Sequence, residues 1–372
     1  MNKKVVLLST NLARGGAETQ VALLAAGLRG RGWEASVVSM IEPSAFQEEL
    51  AAAGVPVYSL RMRPGKASPA GFLRLASLLR KLRPQVLHCH MFHANLLGRM
   101  ARLIAPVPVA ISTVHSLVES SRESGDARGR ERWLRRTDRL SDATAAVCQA
   151  AAARLAENRI APQSKIRVIP NGVDTVRIQP DAEAREDTRR DLKAGHEFVW
   201  LAAGRLLWKK DYQTMLRAFA AQGQGRLLIA GEGPEEAALR ALASELKANV
   251  RFLGLRTDVP KLMNACNGYL LSSTVEGLPM ALLEAAASAA PCVATEVGGV
   301  GEIVVDGRTG YLVPPGDAAA FGAAMARLQG LAPQARKQMG QAAREHVAEH
   351  FEMARVVARW EQLYEELAGA MR

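Results

Sequence analysis

The length, composition and charge of the chain exclude several classes of protein. Its 372 residues suffice for two domains with separate cores, at roughly 100 to 200 residues per domain. Hydrophobic residues make up 48% and charged residues 23%, which excludes disordered, collagenous and coiled-coil chains. The longest uncharged apolar runs, such as Ala285–Thr295, are shorter than the ~18 residues of a membrane span. The apolar run near the N-terminus is also too short for a signal peptide.

The formal net charge of +11 lies in the first half of the chain. Residues 1–180 contain 26 Lys and Arg against 13 Asp and Glu, whereas residues 181–372 contain 22 against 24. A one-sided basic field attracts anionic surfaces, so we expect peripheral contact of the first half with an anionic membrane, at its inner face. The arginine usage of a high-GC genome is the alternative explanation. No nucleic-acid partner is expected, because aromatic residues are not interleaved with the basic stretches.

The cysteines indicate the compartment. Cys89, Cys148, Cys266 and Cys292 are widely spaced in apolar stretches and form no Cys-x-x-Cys pair. This spacing predicts buried thiols in a reducing compartment. We therefore expect a cytoplasmic protein.

Short apolar runs alternate with segments of helical periodicity along the chain, which is typical of β-α-β units with parallel sheets. In the first half this predicts a helix over 17–29 and strands over 4–9, 35–41, 86–90, 108–112 and 143–148. The charged stretch 180–187 predicts a linker followed by a polar helix. A second series of strands follows over 198–203, 226–230, 250–253, 268–272 and 292–295, and a last helical segment covers 341–367. Two doubly wound halves with a ligand site in the cleft between them are expected.

A pair of glycines, Gly15 and Gly16, lies between the first strand and the first helix. Such a turn allows close approach of a bulky group, and free N–H groups of the first helical turn favour an anion. The stretch is not Gly-x-Gly-x-x-Gly, and no P-loop sequence occurs, which disfavours nicotinamide and nucleoside triphosphate sites. A plain tight turn is the alternative.

A basic loop follows the first strand of the second half. Gly204 and Arg205 come directly after that strand, and Lys209 and Lys210 follow shortly after. An arginine fork and a lysine point charge can together bind two neighbouring phosphates. By charge alone the two lysines cannot be told apart, and a solvated basic loop is an equal alternative.

Two carboxylates flank a predicted helix start. Pro279 suits the first turn of a helix, with Glu276 just ahead of it and Glu284 inside it. In a continuous helix these carboxylates would be roughly 12 Å apart at ~1.5 Å per residue, a span that fits hydroxyls at opposite ends of a diphosphate-linked ligand. Alternatively Glu276 is a cap and Glu284 a surface residue. Glu284, however, lies in an apolar helix and needs a partner there.

Metal-based chemistry is not expected. His88, Cys89, His90 and His93 are metal-ligand types, but they fall on a predicted buried strand and just beyond it. No Asp-x-Asp sequence occurs. We therefore expect neither a metal nor a cofactor.

The chain resembles glycosyltransferase family 4, which comprises retaining nucleotide-sugar glycosyltransferases with the GT-B fold. The resemblance extends over nearly the whole length, through stretches that occur in the order typical of the family. These are residues 15–18, 88–90, 113–115, 169–174, 204–210, 231–234, 252–254, 276–284 and 298–317. Four positions depart from the usual pattern. Cys148 stands where serine is common and Asp211 where glycine is frequent. Gly301 replaces a common proline, and Ala290 replaces a common glycine.

The resemblance implies two Rossmann-like α/β domains facing across a cleft. Residues 1–180 would bind the acceptor and residues 181–350 the nucleotide sugar, while a final helix, about 351–372, would cross back onto the first domain. The implied activity moves a hexose or N-acetylhexosamine from a nucleoside-diphosphate sugar to a saccharide or lipid-linked acceptor, in bacterial cell-surface polysaccharide or glycoconjugate synthesis. A UDP-sugar is favoured over a GDP-sugar. A sugar-nucleotide epimerase or a phosphorylase of the same architecture is the alternative.

The resemblance also implies roles for individual residues. Arg205 and Lys210 would bind the donor diphosphate, and Glu276 would contact the sugar hydroxyls. His115 would lie near the sugar, as the fourth catalytic residue, and Glu284 would hold the ribose. The remaining donor-binding positions implied are Gly15, Gly16, Asn171, Gly204, Gly231, Gly277, Leu278, Pro279, Met280, Ala281 and Leu282.

Overall fold

The computed structural model describes residues 3–66, 68–116 and 127–370, and the chain divides into two compact units. One unit comprises Met1–Gly172 together with Met353–Arg372, and the other comprises Val173–Glu352. From the sequence, the chain is predicted to pass from the first unit to the second at residue 180 and to return to the first at about residue 351. The ends of the first unit, residues 1–2 and 371–372, lie outside the described residues. Within the described ranges, no helix has the length and apolar character needed to cross a membrane.

The first unit is built on a sheet of seven parallel strands. Its strands are β1 (Lys4–Ser9), β2 (Glu34–Ser39), β3 (Val57–Ser59), β4 (Val86–His90), β5 (Val109–Val114), β6 (Ala143–Ala146) and β7 (Ile166–Val168), in the spatial order β3-β2-β1-β4-β5-β6-β7. Its helices are α1 (Gly16–Gly30), α2 (Gln47–Ala52), α3 (Pro69–Leu82), α4 (Phe92–Ala101), α5 (Ala127–Thr137) and α6 (Gln149–Glu157). The strand order reverses between β1 and β4, so the loops that follow these two strands lead away in opposite directions, and ligands bind at such points.

The second unit contains a six-stranded parallel sheet. Its strands are β8 (Val199–Ala203), β9 (Arg226–Ala230), β10 (Val250–Gly254), β11 (Gly268–Leu271), β12 (Cys292–Thr295) and β13 (Gly310–Val313), in the order β10-β9-β8-β11-β12-β13. The helices of the second half of the chain are α7 (Ala182–Asp191), α8 (Tyr212–Gln222), α9 (Glu236–Glu245), α10 (Val259–Ala265), α11 (Met280–Ala287), α12 (Val300–Ile303), α13 (Ala318–Gly330), α14 (Pro333–His350) and α15 (Met353–Gly369).

The predicted strands are confirmed to within about two residues at each end, and the predicted α/β class is correct. Three short strands, β3, β7 and β13, were not predicted. They have three or four residues each, and β7 has a charged residue at its centre. All three pair with a neighbouring strand, and β3 and β7, with three residues each, are too short for a period to show. The four cysteines are buried thiols, as predicted.

The charged stretch after residue 180 forms a polar helix, as predicted. Asp181 caps α7 by accepting a hydrogen bond from the Ala184 N–H at 2.9 Å. The last helical segment, in contrast, is two helices, because the chain leaves the second unit between them. Phe351 accepts a hydrogen bond from the Val173 N–H at 2.8 Å, which ends α14 at the crossing point.

Helix α15 belongs to the first unit, which confirms the predicted return. Its buried residues, among them Val356, Val357, Trp360 and Tyr364, join the core of that unit. The Glu361 carboxylate, which is also buried, fixes the helix to the other end of the chain. It accepts hydrogen bonds from Lys3 Nζ at 2.9 Å, Arg31 Nε at 2.6 Å and Trp33 Nε1 at 3.0 Å.

Replacement Glu361→Gln should destabilise the protein by about 1.5–3 kcal/mol at neutral pH, the range for hydrogen bonds to charged groups. Burial raises the pKa of Glu361, but hydrogen bonds from Lys3, Trp33 and Arg31 outweigh it and lower the pKa to about 2. Because this pKa is lower in the folded state, the stabilisation is present above the unfolded value of ~4.3 and disappears as the pH falls towards 2.

Urea unfolding of the wild type and Glu361→Gln at a series of pH values measures this contribution. The difference in unfolding free energy between the wild type and Glu361→Gln should become smaller as the pH falls. Glu365→Gln is the matched control, because that side chain is half exposed in its contact with Lys3 and should change stability by less than about 1 kcal/mol. Equal effects of the two substitutions would contradict the assignment.

Candidate donor-binding site

The loops after β8 and β9 lie backbone against backbone. Gly204 N–H donates to Ala230 O at 2.9 Å, and a Cβ atom on Gly231 would lie 2.0 Å from Gly204 O. Gly231 also has a φ of +139°, a value that side-chain-bearing residues rarely adopt. Glycine is therefore required at 231, and the two predicted positions Gly204 and Gly231 are brought together at the carboxyl edge of the sheet.

Lys210 and Glu276 form an ion pair at the same edge. Lys210 Nζ lies 2.5 Å from Glu276 Oε1, and both side chains are largely buried. Ser273 Oγ donates to the same carboxylate oxygen at 2.6 Å. Glu276 Oε2 accepts no hydrogen bond from any residue that the structure describes, so one oxygen of the carboxylate is held and the other is available to a ligand.

Backbone contacts between two loops place Lys210. Ser272 Oγ donates to Lys210 O at 2.8 Å, and Thr274 N–H donates to Lys209 O at 2.8 Å. Asp211 then turns the chain in the left-handed region, with a φ of +45°, and its carboxylate caps α8. This conformation accounts for the glycine that is frequent at this position in the family. The structure thus separates two lysines that charge alone could not distinguish, since the ammonium group paired with Glu276 is that of Lys210.

Arg205 follows Gly204 directly and is exposed. Among the described residues it has no hydrogen-bond or ion-pair partner for its guanidinium group. The next residue, Leu206, is buried, and its N–H donates to Glu232 O at 2.9 Å. The backbone beside Arg205 is therefore fixed, while its fork of donors stays available to an anion.

The Glu276 loop is closed by backbone contacts from the segment after β12. Gly299 N–H donates to Gly277 O at 2.8 Å. Helix α11 begins at Met280, with Pro279 as its N-cap, so Pro279 precedes the first turn instead of lying in it. The separation of roughly 12 Å for a continuous helix does not apply, because Glu276 stands in the loop. Of the other predicted positions, Leu278, Met280 and Leu282 are buried and Ala281 is partly buried.

Glu284 is partly buried on α11, and its side-chain carboxylate forms no hydrogen bond with a described residue. Burial raises the pKa of this carboxyl to about 7, against the opposing effect of the positive charge of Arg177. The partner expected for a carboxylate in this apolar helix is thus absent among the described side chains. A carboxyl group that changes its charge near neutral pH and has unused acceptor capacity is a candidate for ligand binding.

The remaining predicted residues lie in the first unit. Helix α1 begins at Gly16, with Gly15 as its N-cap in an extended conformation. The Glu18 carboxylate occupies the space beside Gly15, since a Cβ there would lie 2.4 Å from Glu18 Oε2. Asn171 is buried. The next residue, Gly172, is held by the Gln20 side chain, which donates to its carbonyl at 2.6 Å and accepts from its N–H at 2.8 Å.

Three histidines of the same unit, His88, His90 and His115, lie side by side. His115 Nε2 and His90 Nδ1 are 3.0 Å apart, and His88 contacts Tyr364 Oη at 2.7 Å and Thr113 Oγ1 at 2.6 Å. Burial lowers the pKa of His115 to about 4 and that of His90 well below its usual range, so both rings are neutral at pH 7. Over residues 3–66, 68–116 and 127–370, no three His, Cys, Asp or Glu side chains are arranged to hold a metal.

His115 and Asn171 line one small cavity of the first unit, together with residues that were not predicted. Gln20, His90 and Trp360 also contribute to its wall. Trp360 carries no signal in the sequence beyond helical periodicity, because it reaches the cavity only through the return of α15. Gln20 follows the Gly15-Gly16 turn by one helical turn, which is the only local indication that it lies near that turn.

Comparisons with known proteins identify the family. The family described as Glycosyltransferase Family 4 matches residues 14–177, and the family described as Glycosyl transferases group 1 matches residues 184–346. The chain is 27% identical over 275 residues to the UDP-Gal:alpha-D-GlcNAc-diphosphoundecaprenol alpha-1,3-galactosyltransferase of Escherichia coli, which covers 69% of each chain. It is 35% identical to the N-acetyl-alpha-D-glucosaminyl L-malate synthase of Bacillus anthracis over 161 residues, 42% of each chain.

Solved structures share the fold. The crystal structure of Anabaena Alr3699/HepE in complex with UDP and glucose superposes with a TM-score of 0.87 and 21% identity, over 98% of this chain and 99% of that one. The sucrose-phosphate synthase from Thermosynechococcus elongatus gives a TM-score of 0.85 and 22% identity, over 99% and 100%. With both halves matched by family descriptions and both units built on parallel Rossmann-like sheets, this chain belongs to glycosyltransferase family 4 and is a nucleotide-sugar-dependent glycosyltransferase with the GT-B fold.

Proposed function

We propose that the enzyme transfers a hexose or N-acetylhexosamine from a UDP-sugar to a saccharide or lipid-linked acceptor, with retention of anomeric configuration, in bacterial cell-surface polysaccharide or glycoconjugate synthesis. The names of two relatives support the donor and the acceptor. The Escherichia coli relative is named for a UDP-galactose donor and a diphosphoundecaprenol-linked acceptor, and the Anabaena structure holds UDP and glucose. The second unit would bind the donor, and the first unit the acceptor.

The pairing of Lys210 with Glu276 is the observation that carries this proposal. It places a lysine ammonium group beside a carboxylate with one unused oxygen, at a strand edge where Arg205 is exposed. The two cations would bind the donor diphosphate, and Glu276 Oε2 would accept a hydroxyl of the sugar. Glu284 would accept the ribose hydroxyls. The roles proposed for Gly15, Gly16, His115 and Asn171 rest on the family resemblance.

The proposed reaction breaks the bond between the anomeric carbon and the phosphate oxygen and forms one from that carbon to the acceptor hydroxyl oxygen. Electrons of the broken bond stay on the diphosphate, whose growing charge Arg205 and Lys210 stabilise. The acceptor attacks on the face that the leaving group departs from, and its proton passes to the leaving phosphate oxygen. The products are UDP and the glycosylated acceptor, and no protein base is required.

Binding and product measurements test the proposal. Saturation-transfer NMR with a panel of uridine and guanosine diphosphate sugars should show contacts for a uridine compound. Incubation with that donor, with and without candidate saccharide or lipid-linked acceptors, should release UDP mainly when an acceptor is present, and NMR of the product should show the donor's anomeric configuration. A new sugar nucleotide formed without acceptor would indicate an epimerase, and a glycosyl phosphate formed from inorganic phosphate would indicate a phosphorylase.

Donor affinity should rise with pH around neutrality. A carboxylate accepts hydrogen bonds on both oxygens, whereas the protonated form must donate from one, so ribose binding favours ionised Glu284. With a pKa of about 7 in the free protein, the group is mostly protonated at pH 6 and mostly ionised at pH 8. Glu284→Gln should weaken binding about tenfold, the effect of ~1.4 kcal/mol, and flatten the pH profile.

Calorimetric titration with a UDP-hexose measures this effect, because its phosphodiesters do not titrate near pH 7. Glu245→Gln on α9 is the control, since this residue is exposed on the same unit, and it should keep the wild-type profile. A flat wild-type profile, or one that survives in Glu284→Gln, would contradict the role of Glu284.

A further inference from the structure

Helix α5 has an unusual solvent-facing side. Its sequence from residue 127 to residue 137 is ARGRERWLRRT. It exposes the aromatic ring of Trp133 and four arginines, Arg128, Arg132, Arg135 and Arg136. A fifth exposed arginine, Arg139, follows in the next turn. Leu134 and Thr137 are buried on the opposite side, so the helix is amphipathic, with cations as its outer face.

The charge on this face is not neutralised within the part of the chain that the structure describes. None of the five exposed arginines forms an ion pair there. Glu131 is the sole acidic residue of the helix, and its carboxylate is occupied by Arg154 Nη2 at 2.6 Å. The face therefore presents a dense positive charge that an anionic surface could neutralise.

The helix is held rigidly beneath this face. The buried guanidinium group of Arg99 donates to Leu134 O at 2.8 Å and to Thr137 Oγ1 at 3.1 Å. The Arg130 guanidinium group lies 5.1 Å from the centroid of the Phe92 ring, at the start of α4. Trp133 nevertheless keeps 56% of its surface exposed. An exposed aromatic ring on a well-anchored helix is stabilised only when a binding partner buries it.

The end of α4 adjoining this helix also exposes apolar side chains. Met100, next to the anchoring Arg99, is 43% exposed, and Leu103 just beyond the helix is 61% exposed. Exposed apolar and aromatic residues beside exposed arginines fit the interface of an anionic bilayer. There, rings enter the headgroup region and cations bind lipid phosphates. A nucleic acid would use several stacking rings, whereas α5 offers Trp133 alone.

We propose that α5 is the membrane-docking element of this protein, with Trp133 entering the headgroup region of an anionic bilayer and the flanking arginines binding lipid phosphates. Docking would bring a lipid-linked acceptor close to the first unit, which is proposed to bind the acceptor. Only this biological purpose rests on the proposed function. Arg130 contacts Phe92, which begins α4 directly after β4. Docking would therefore hold the carboxyl edge of this sheet, where His90 and His115 lie, near the lipid surface.

Vesicle co-sedimentation of the full chain without sugar donor tests the proposal. Wild-type protein should bind vesicles of phosphatidylglycerol in phosphatidylcholine and not vesicles of phosphatidylcholine alone. Because each well-placed cation contributes about 1 kcal/mol at such a surface, the triple variant R132Q/R135Q/R136Q should bind about 100-fold more weakly. Trp133→Ser should bind about tenfold more weakly, from the loss of apolar burial. Raised salt should weaken wild-type binding.

The matched control is R217Q/R251Q/R308Q, which removes the same charge from exposed arginines of the second unit and should bind as the wild type does. Titration of every variant with UDP, together with circular dichroism, shows whether the fold and the donor site are retained. If the wild type does not bind UDP, the proposed function is refuted, and the vesicle result still tests the docking proposal. Equal binding to both vesicle types, an unaffected triple variant, or arginine-dependent binding of duplex RNA in place of vesicles would overturn the docking proposal.

Discussion

Replacement Lys210→Ala is expected to lower kcat by about 10²–10³-fold. A preorganised charge aimed at a leaving group is worth ~2.7–4 kcal/mol at the transition state, and Lys210 is the cation paired with Glu276. The substitution also leaves the Glu276 carboxylate with Ser273 as its one remaining side-chain partner among the described residues. Arg205→Ala should lower kcat over the same range, and Arg205→Lys should restore activity only in part, because the two-pronged donor geometry is lost.

Steady-state release of UDP in the presence of acceptor measures both effects. Lys209→Ala is the control for Lys210, since the Lys209 backbone carbonyl, which the substitution retains, is what Thr274 contacts. It should keep most of the activity. Activity should also persist in EDTA, since side chains are proposed to neutralise the diphosphate. Unchanged turnover in Lys210→Ala, or inactivation by EDTA, would refute the assignment.

Replacement Arg99→Leu is expected to reduce the stability of the first unit by about 3–5 kcal/mol, the cost of removing one partner from a buried ion pair. Arg99 is 1% exposed. Its guanidinium group lies 3.4 Å from Asp138 Oδ1 and also donates to Ser112 Oγ at 2.9 Å. Without the arginine, the Asp138 charge stays buried with Thr144 and the more distant Lys165 as its contacts.

Chemical denaturation of three variants tests this network. Arg99→Leu should unfold at much lower denaturant concentration than the wild type, while Arg135→Leu, exposed on the neighbouring helix, should change little. The double variant Arg99→Leu/Asp138→Leu should be more stable than Arg99→Leu, because it also removes the buried Asp138 charge, which would keep only Lys165 as a cationic partner among the described residues. Additive losses in the double variant would show that the two side chains do not form a coupled pair.

Much of the candidate donor site could be predicted from the sequence. Buried parallel strands appear as apolar runs, and ligands of such sheets bind at the strand ends, so Arg205 and Glu276 could be placed at one edge without coordinates. The family resemblance covers both halves, and its implied fold is confirmed. What no local pattern could show is which lysine is used, because the Lys210–Glu276 contact joins residues 66 positions apart.

Periodicity and turn residues are local, and they determined the parallel α/β class, the strand ends and the candidate residues carried by them. The tertiary structure alone decided which of these groups meet. Ser273 holds Glu276, His90 contacts His115, and Glu361 returns α15 to the start of the chain. The tertiary structure also raised the pKa of Glu284 and left Trp133 outside its core. The physical reason is that burial and pairing depend on neighbours distant in sequence, and the sequence pattern of one segment carries no information about them.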